Sequence, residues 1–183
     1  MPEPRLQTNS VISANLLHML IHKFVRQLWH ARTLLQRSNT GPKLSKKKSN
    51  LYVDLFAGCG GLSLGLEVAG LDLHLAVEKS EMAAETFHHN FIAANPDCAD
   101  WEDYRKKSLE GQFTGKLIVK ELVNVLKDDG LMSQLRKSNI DLVAGGPPCQ
   151  GFSMAGLRNP SDQRNQLPYE LLDFVRQVQP KAV

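Results

Sequence analysis

Between Pro4 and Asn50 the chain has no acidic residue, whereas Arg5, Lys23, Arg26, Arg32, Arg37, Lys43 and Lys46 to Lys48 are basic. The remainder is acidic on balance. The net charge of +3 is therefore gathered at one end, where it permits a polyanionic partner without requiring one. No apolar run approaches the ~20 residues that a bilayer-spanning helix needs, so no membrane role is expected. Cysteine is scarce: Cys59, Cys98 and Cys149 stand far apart and form no CxxC pair. That spacing argues against a zinc site or a disulfide framework. Three unpaired thiols suit a reducing compartment and make a single reactive cysteine worth seeking. What the chain does have, 183 residues with 42% hydrophobic content, suits one α/β domain plus an appendage.

The appendage is residues 1–50. Within 11–37, Leu17, Ile21, Phe24, Leu28, Ala31 and Leu35 recur three and four apart, the spacing of an amphipathic helix. Ser10 or Ser13 could cap its start, and Gly41-Pro42 ends it. Such a helix could pack on the following domain, contact DNA or a partner, or serve as an organellar presequence. His18 and His22 share its polar face without a visible third ligand, so no metal is expected. A basic linker containing Lys46-Lys47-Lys48 follows.

The domain proper, 51–183, opens on an apolar run, Leu51 to Phe56, that predicts a buried strand. Gly58-Cys-Gly-Gly61 predicts a turn, and the spacing from Leu62 to Ala69 a helix that Gly70 stops. Leu73 to Val77 predicts a second strand ended by Glu78. Ser80 caps a second helix reaching about Asn90, with His88-His89 at its polar end. Segments 101–107 and 117–126 read as helices, and no third strand is evident between 95 and 138. Ile140 to Ala144 reads as a strand, Gly145 to Gly151 as a loop, Tyr169 to Val178 as a helix, and Lys181-Ala-Val183 as the opening of another strand. This alternation predicts an α/β fold with a parallel sheet.

Two features suggest chemistry. A glycine turn between strand and helix lets backbone N–H groups approach a ligand, although Gly58-x-Gly60-Gly61 alone is equally a plain tight turn. Glu78, about 20 residues on at the end of the second strand, is placed to accept hydrogen bonds from ribose hydroxyls. The pair favours an adenosyl cofactor. Cys149 lies in Gly145-Gly-Pro-Pro-Cys-Gln-Gly151, just past a strand's carboxyl end, in a loop stiffened by prolines. A catalytic thiol and a structural one both fit this motif by itself.

Asp54-Leu-Phe-Ala-Gly-Cys-Gly-Gly61 resembles the first motif of the DNA cytosine-5 methyltransferases, and Glu78 falls where their ribose-binding acid falls. Gly145 to Ser153 is similar to their catalytic loop, with Cys149 at the nucleophile position. Asp162-Gln-Arg-Asn165 followed by Leu167 resembles the motif whose leucine packs near the adenine. The resemblance implies a Rossmann-like, S-adenosylmethionine-dependent methyltransferase fold, here incomplete and preceded by a helix. It implies methyl transfer to C5 of cytosine in DNA through a covalent Cys149 adduct, with the target base extruded from the duplex. Phe56, Ala57, Gly58, Cys59, Gly60, Gly61, Glu78, Lys79, Gly146 and Leu167 would line the cofactor site. Pro148, Gln150, Ser153 and Arg164 would meet the substrate. Restriction–modification in a bacterial cytoplasm, associated with the nucleoid when DNA is bound, is the implied setting.

The pattern also departs from the family. The aspartate that follows the family's third strand and holds adenine is not assignable, since Asp97, Asp100, Asp128 and Asp129 all compete. The Glu-Asn-Val motif, a later arginine, the target-recognition region and the C-terminal helix do not occur. The expectation is a split or truncated enzyme, inactive without a complementing C-terminal subunit. The competing expectation is a non-catalytic remnant that at most binds cofactor or DNA.

Overall fold

A computed structural model of the chain describes residues 50–93, 100–147 and 166–183. Four strands, β1 (Asn50–Leu55), β2 (Leu71–Val77), β3 (Leu117–Ile118) and β4 (Leu142–Gly145), form a sheet in the order β3-β2-β1-β4, and every pair is parallel. Parallel neighbours need crossovers, and helices supply them: α1 (Gly61–Val68), α2 (Glu81–Phe87), α3 (Trp101–Arg105), α4 (Leu109–Thr114), α5 (Leu122–Leu126), α6 (Asp129–Lys137) and α7 (Leu167–Val178). Strand order reverses between β1 and β4, the Rossmann-like arrangement in which ligands bind beyond the strands' carboxyl ends. Ala182 adds a parallel bridge outside β4, with Val143 N–H donating to its carbonyl at 3.0 Å.

Both sheet faces are apolar because both are covered. Val53, Leu55, Leu75, Val77, Ile118 and Val143 pack under α5, α6 and α7, where Val125, Leu135 and Phe174 are fully buried. Tyr52, Leu73, Ala76 and Leu117 pack under α1, α2 and α3, against Phe87, Trp101 and Tyr104. Each fully buried valine, leucine, isoleucine or phenylalanine among these contributes about 1.5–3 kcal/mol relative to exposure. A β-bulge between Tyr52 and Val53 sets Tyr52 opposite Leu73 and Val53 opposite Leu75, leaving His74 as the extra residue. The bulge switches the facing of β2: Leu73 serves one layer and Leu75 the other.

The sequence signals hold for β1, α1, β2, α2, β4 and α7, with shifts of a few residues at the ends. Ser80 does cap α2, accepting from Ala83 N–H at 3.5 Å. The helix expected over 117–126 is a correction: Leu117-Ile118 is the third strand, and the helix is confined to Leu122–Leu126. Apolar residues at 117, 118, 119, 122, 125 and 126 fit helical spacing. Burial against β2 decides otherwise, since Ala76 N–H donates to the Lys116 carbonyl and Glu78 N–H to that of Ile118. Tyr104 reinforces the strand: its hydroxyl donates to the Leu117 carbonyl at 2.9 Å and accepts from Leu117 N–H at 3.1 Å. The helices α4 and α6 were not foreseen; Ser108 and Asp128 cap them, accepting from Gly111 and Leu131 N–H. The second helix passes into a π-helical turn, His88–Ile92, closed by Ala93 N–H to the His88 carbonyl at 2.8 Å. His88, expected at a helix end where positive charge suits the dipole, is buried against Trp101 and Tyr104. Burial pulls its pKa down, so the positive charge expected there is disfavoured.

Candidate functional site

The carboxyl ends of β1 and β2 converge on Glu78. Its Oε2 accepts from Gly58 N–H at 2.8 Å and its Oε1 from Ser80 N–H at 2.7 Å. Both oxygens are thereby fixed in direction. A carboxylate has about four lone-pair sites, so among the described residues two remain for further donors. The Glu78 main chain is itself held by the Ile118 carbonyl.

The glycine turn takes its shape from three left-handed residues, Phe56 at φ 59°, Gly58 at 55° and Gly60 at 91°. Ala57 N–H donates to the Val77 carbonyl and Gly60 N–H to that of Ala57, which ties the turn to β2. A Cβ at Gly58 or Gly61 would meet nothing within 4 Å, so that side of the turn is open backbone. At Gly60 the opposite holds: a Cβ would lie 2.3 Å from Cε2 of Phe91.

Beneath the turn lies a buried carboxylate that the sequence reading did not assign. Asp54 is 1% exposed and accepts from the Ser63 hydroxyl at 2.7 Å and from the Ser63 backbone N–H. Helix α1 starts at a glycine with no side-chain cap of its own, so Asp54 caps it from the strand. Burial raises the Asp54 carboxyl to about 6, against the lowering effect of the two Ser63 bonds; the Glu78 charge adds to the rise. Tyr52 O–H also donates to the Ser63 carbonyl at 3.3 Å. The acidic first position of the motif was visible in the sequence, but the Ser63 bond was not.

Cys59 is half-buried and hydrogen-bonds Thr86. Desolvation pushes its thiol up, as does the Glu78 charge, so Cys59 is kept protonated and is a poor nucleophile. Lys79, next to Glu78, is exposed and lies 3.7 Å from Glu121, the residue that precedes α5. Glu170, on the first turn of α7, accepts a backbone hydrogen bond from Val123 of α5; burial and Glu121 raise its pKa while Lys79 lowers it. Among the described residues, the carboxyl edge of the sheet is thus negative on balance, which suits a ligand carrying positive charge.

Of the residues singled out from sequence, the fold brings Phe56 to Gly61, Glu78 and Lys79 to one edge. Gly146 leaves the sheet at that same edge, because Gly145 pairs with Leu55. A Cβ on Gly145 would stand 2.7 Å from the Leu55 carbonyl oxygen, so glycine is needed where the chain exits. Leu167 opens α7, whose Leu171 and Phe174 pack on the sheet face shared with α5 and α6. Pro148, Cys149, Gln150, Ser153 and Arg164 lie outside the described residues, as do Asp97, His18, His22 and the 11–37 helix. Asp100 precedes β3, and Asp128 and Asp129 come beyond α5, where Asp128 caps α6; the first acid after β3 is Glu121. A cleft of about 220 Å³ between α4 and α6, lined by Phe113, Leu131 and Gln134 among others, includes no residue of this edge.

Residues 51–183 match the family described as C-5 cytosine-specific DNA methylase. Among curated proteins, the chain is 38% identical over 130 residues to Type II methyltransferase M.XorII of Xanthomonas oryzae pv. oryzae, covering 70% of this chain and 26% of that one. It is 35% identical over 129 residues to Type II methyltransferase M.DdeI of Desulfomicrobium norvegicum, covering 70% and 25%. The chain therefore spans about a quarter of the length of these two. With Type II methyltransferase M.HgiGI of Herpetosiphon aurantiacus it shares 33% identity over 131 residues, covering 72% of this chain and 84% of that one.

Proposed function

This chain belongs to the C-5 cytosine-specific DNA methylase family, and from that premise we propose that it is the cofactor-binding, nucleophile-carrying part of an S-adenosylmethionine-dependent DNA cytosine-5 methyltransferase. The observation that carries the proposal is the Glu78 carboxylate, pinned by Gly58 and Ser80 N–H beside an open glycine turn. Its two free lone-pair sites suit the two ribose hydroxyls of an adenosyl group. Gly58 and Gly61 leave room for the ligand to lie on backbone, and the acidic edge suits its sulfonium and ammonium charges. Glu121 follows β3 where the family carries an aspartate, and we assign it the adenine amino group.

Bound S-adenosylmethionine supplies an electrophilic methyl group. The chain's own contribution is Cys149. Its thiolate would add to C6 of an extruded cytosine, which moves the ring's electron pair to C5 and makes that carbon nucleophilic. After methylation, loss of the C5 proton expels the thiolate and restores the ring. Pro148 would shape the pocket, with Gln150, Ser153 and Arg164 facing the DNA. A complementing C-terminal methyltransferase segment, in the same polypeptide or in a partner, would supply the family's base-contacting glutamate and extend the sheet past Ala182. Among the described residues, no further strand lies there.

The test is covalent trapping. A DNA duplex carrying 5-fluorocytosine cannot lose its C5 substituent as a proton, so the adduct should persist on a denaturing gel when the chain is complemented and cofactor is present. Cys149→Ser should abolish it. A complemented chain that never traps DNA would point to the non-catalytic remnant instead.

A further inference from the structure

The glycine turn is gripped from outside by one face of the second helix and its π-helical turn. Thr86 hydrogen-bonds the Cys59 thiol. Phe87 and Phe91 stack at 4.5 Å with planes 28° apart, and their edges close over the α-carbon of Gly60. The Phe91 edge is so near that any side chain at Gly60 would overlap it. Phe91 belongs to the π-helical turn His88–Ile92, in which Asn90 Nδ2 also donates to the Thr86 carbonyl at 2.7 Å. Single π-turns are rare and recur at functional sites.

The grip matters because Gly60 is the joint of the site. Its N–H closes the turn onto Ala57, and its carbonyl accepts the first bond of α1, from Leu64 N–H at 2.9 Å. At φ 91° a glycine has many other conformations open to it, and no side-chain cap fixes it in place. Two backbone hydrogen bonds are a weak restraint for such a residue. The aromatic edges remove the space into which it would relax.

We propose that Phe91 is a positioning residue for cofactor binding: seated by the π-turn, it holds Gly60 and thereby keeps the Gly58 N–H directed at Glu78. The inference rests on reading this turn as the adenosyl site, and it adds a residue outside the motif that binds nothing itself.

The experiment compares the full chain with Phe91→Leu and Phe91→Ala, by amide hydrogen exchange and by calorimetric titration with S-adenosylhomocysteine. Exchange at the Gly60 and Leu64 amides should accelerate about tenfold or more relative to the β1 amides of Val53 and Leu55, more in the Ala variant than in the Leu variant. A general loss of stability would raise all four together. Affinity for S-adenosylhomocysteine should fall about tenfold as well. If Phe91→Ala fails to fold, Phe91→Leu carries the comparison. Turn amides that track the strand amides in a folded Phe91→Leu variant overturn the proposal. If the unaltered chain binds no S-adenosylhomocysteine, the functional reading falls, and the exchange data still decide whether Phe91 holds the turn.

Discussion

Replacing Asp54 with asparagine should remove a pH dependence that the native chain carries. Asp54 is 1% exposed, and burial lifts its carboxyl from 3.8 to about 6. In the unfolded chain the group ionises near its ordinary value, so between these limits the folded state holds a proton that the unfolded state has released. The folded state then binds more protons, and stability falls as pH rises through the window. A shift of about two units corresponds to about 3 kcal/mol over the whole range, of which about 2 kcal/mol falls between pH 4.5 and pH 7.5. Asparagine keeps a carbonyl oxygen for the Ser63 hydroxyl and does not ionise. Glu78, the charge that adds to the Asp54 shift, is present in both proteins, as are His74, His88 and His89. The difference between the two stability curves therefore isolates Asp54. Urea unfolding of the full chain and of Asp54→Asn at pH 4.5 and 7.5 should show that difference moving by about 2 kcal/mol in favour of the variant at the higher pH. A difference that stays flat with pH, or one that moves toward the native chain, would show that the carboxylate is not held in a desolvated site.

Glu78→Ala should weaken S-adenosylhomocysteine binding by about 1–3 kcal/mol, since ribose acceptors are lost and Gly58 N–H is left without its partner; unchanged affinity by calorimetry would take Glu78 out of the site. Tyr104→Phe deletes a hydroxyl that serves Gln112 and both main-chain groups of Leu117. It should cost about 1–3 kcal/mol of stability in a denaturant titration, despite conserving the ring.

The glycine turn and Glu78 were legible because a strand, a tight turn and a strand-end acid leave marks in residue type and spacing. Its place at a strand end, about 20 residues beyond the glycine turn, pointed to Glu78 as a ribose acceptor, the role proposed above. The third strand was not legible. Leu117 and Ile118 obtain their partners from β2, forty residues upstream, and a local reading of 117–126 sees only helical spacing. His88 was misjudged for a related reason: its neighbours in space, Trp101 and Tyr104, come from a helix beyond the window that defines α2. The Asp54–Ser63 bond and the Phe91 contact with Gly60 are likewise tertiary. The aromatic pair at 87 and 91 reads in sequence as ordinary helical core, and nothing there announces that its edge rests on a glycine.

The extra residue in the second strand has a consequence for how variants of this protein are interpreted. Its two halves, Leu71 to Leu73 and Leu75 to Val77, run in opposite phase. Deleting His74 would remove the bulge yet leave Leu73, Leu75, Ala76 and Val77 on their present faces, because adjacent residues alternate. Straightening the strand with residue 74 retained would instead send Leu75 and Val77 to the layer of Leu73 and exchange them with Ala76, so that methyl-sized space met leucine-sized demand on both sides. The bulge therefore keeps both cores in register, and His74→Ala, which keeps the residue count and the bulge, should leave them unchanged.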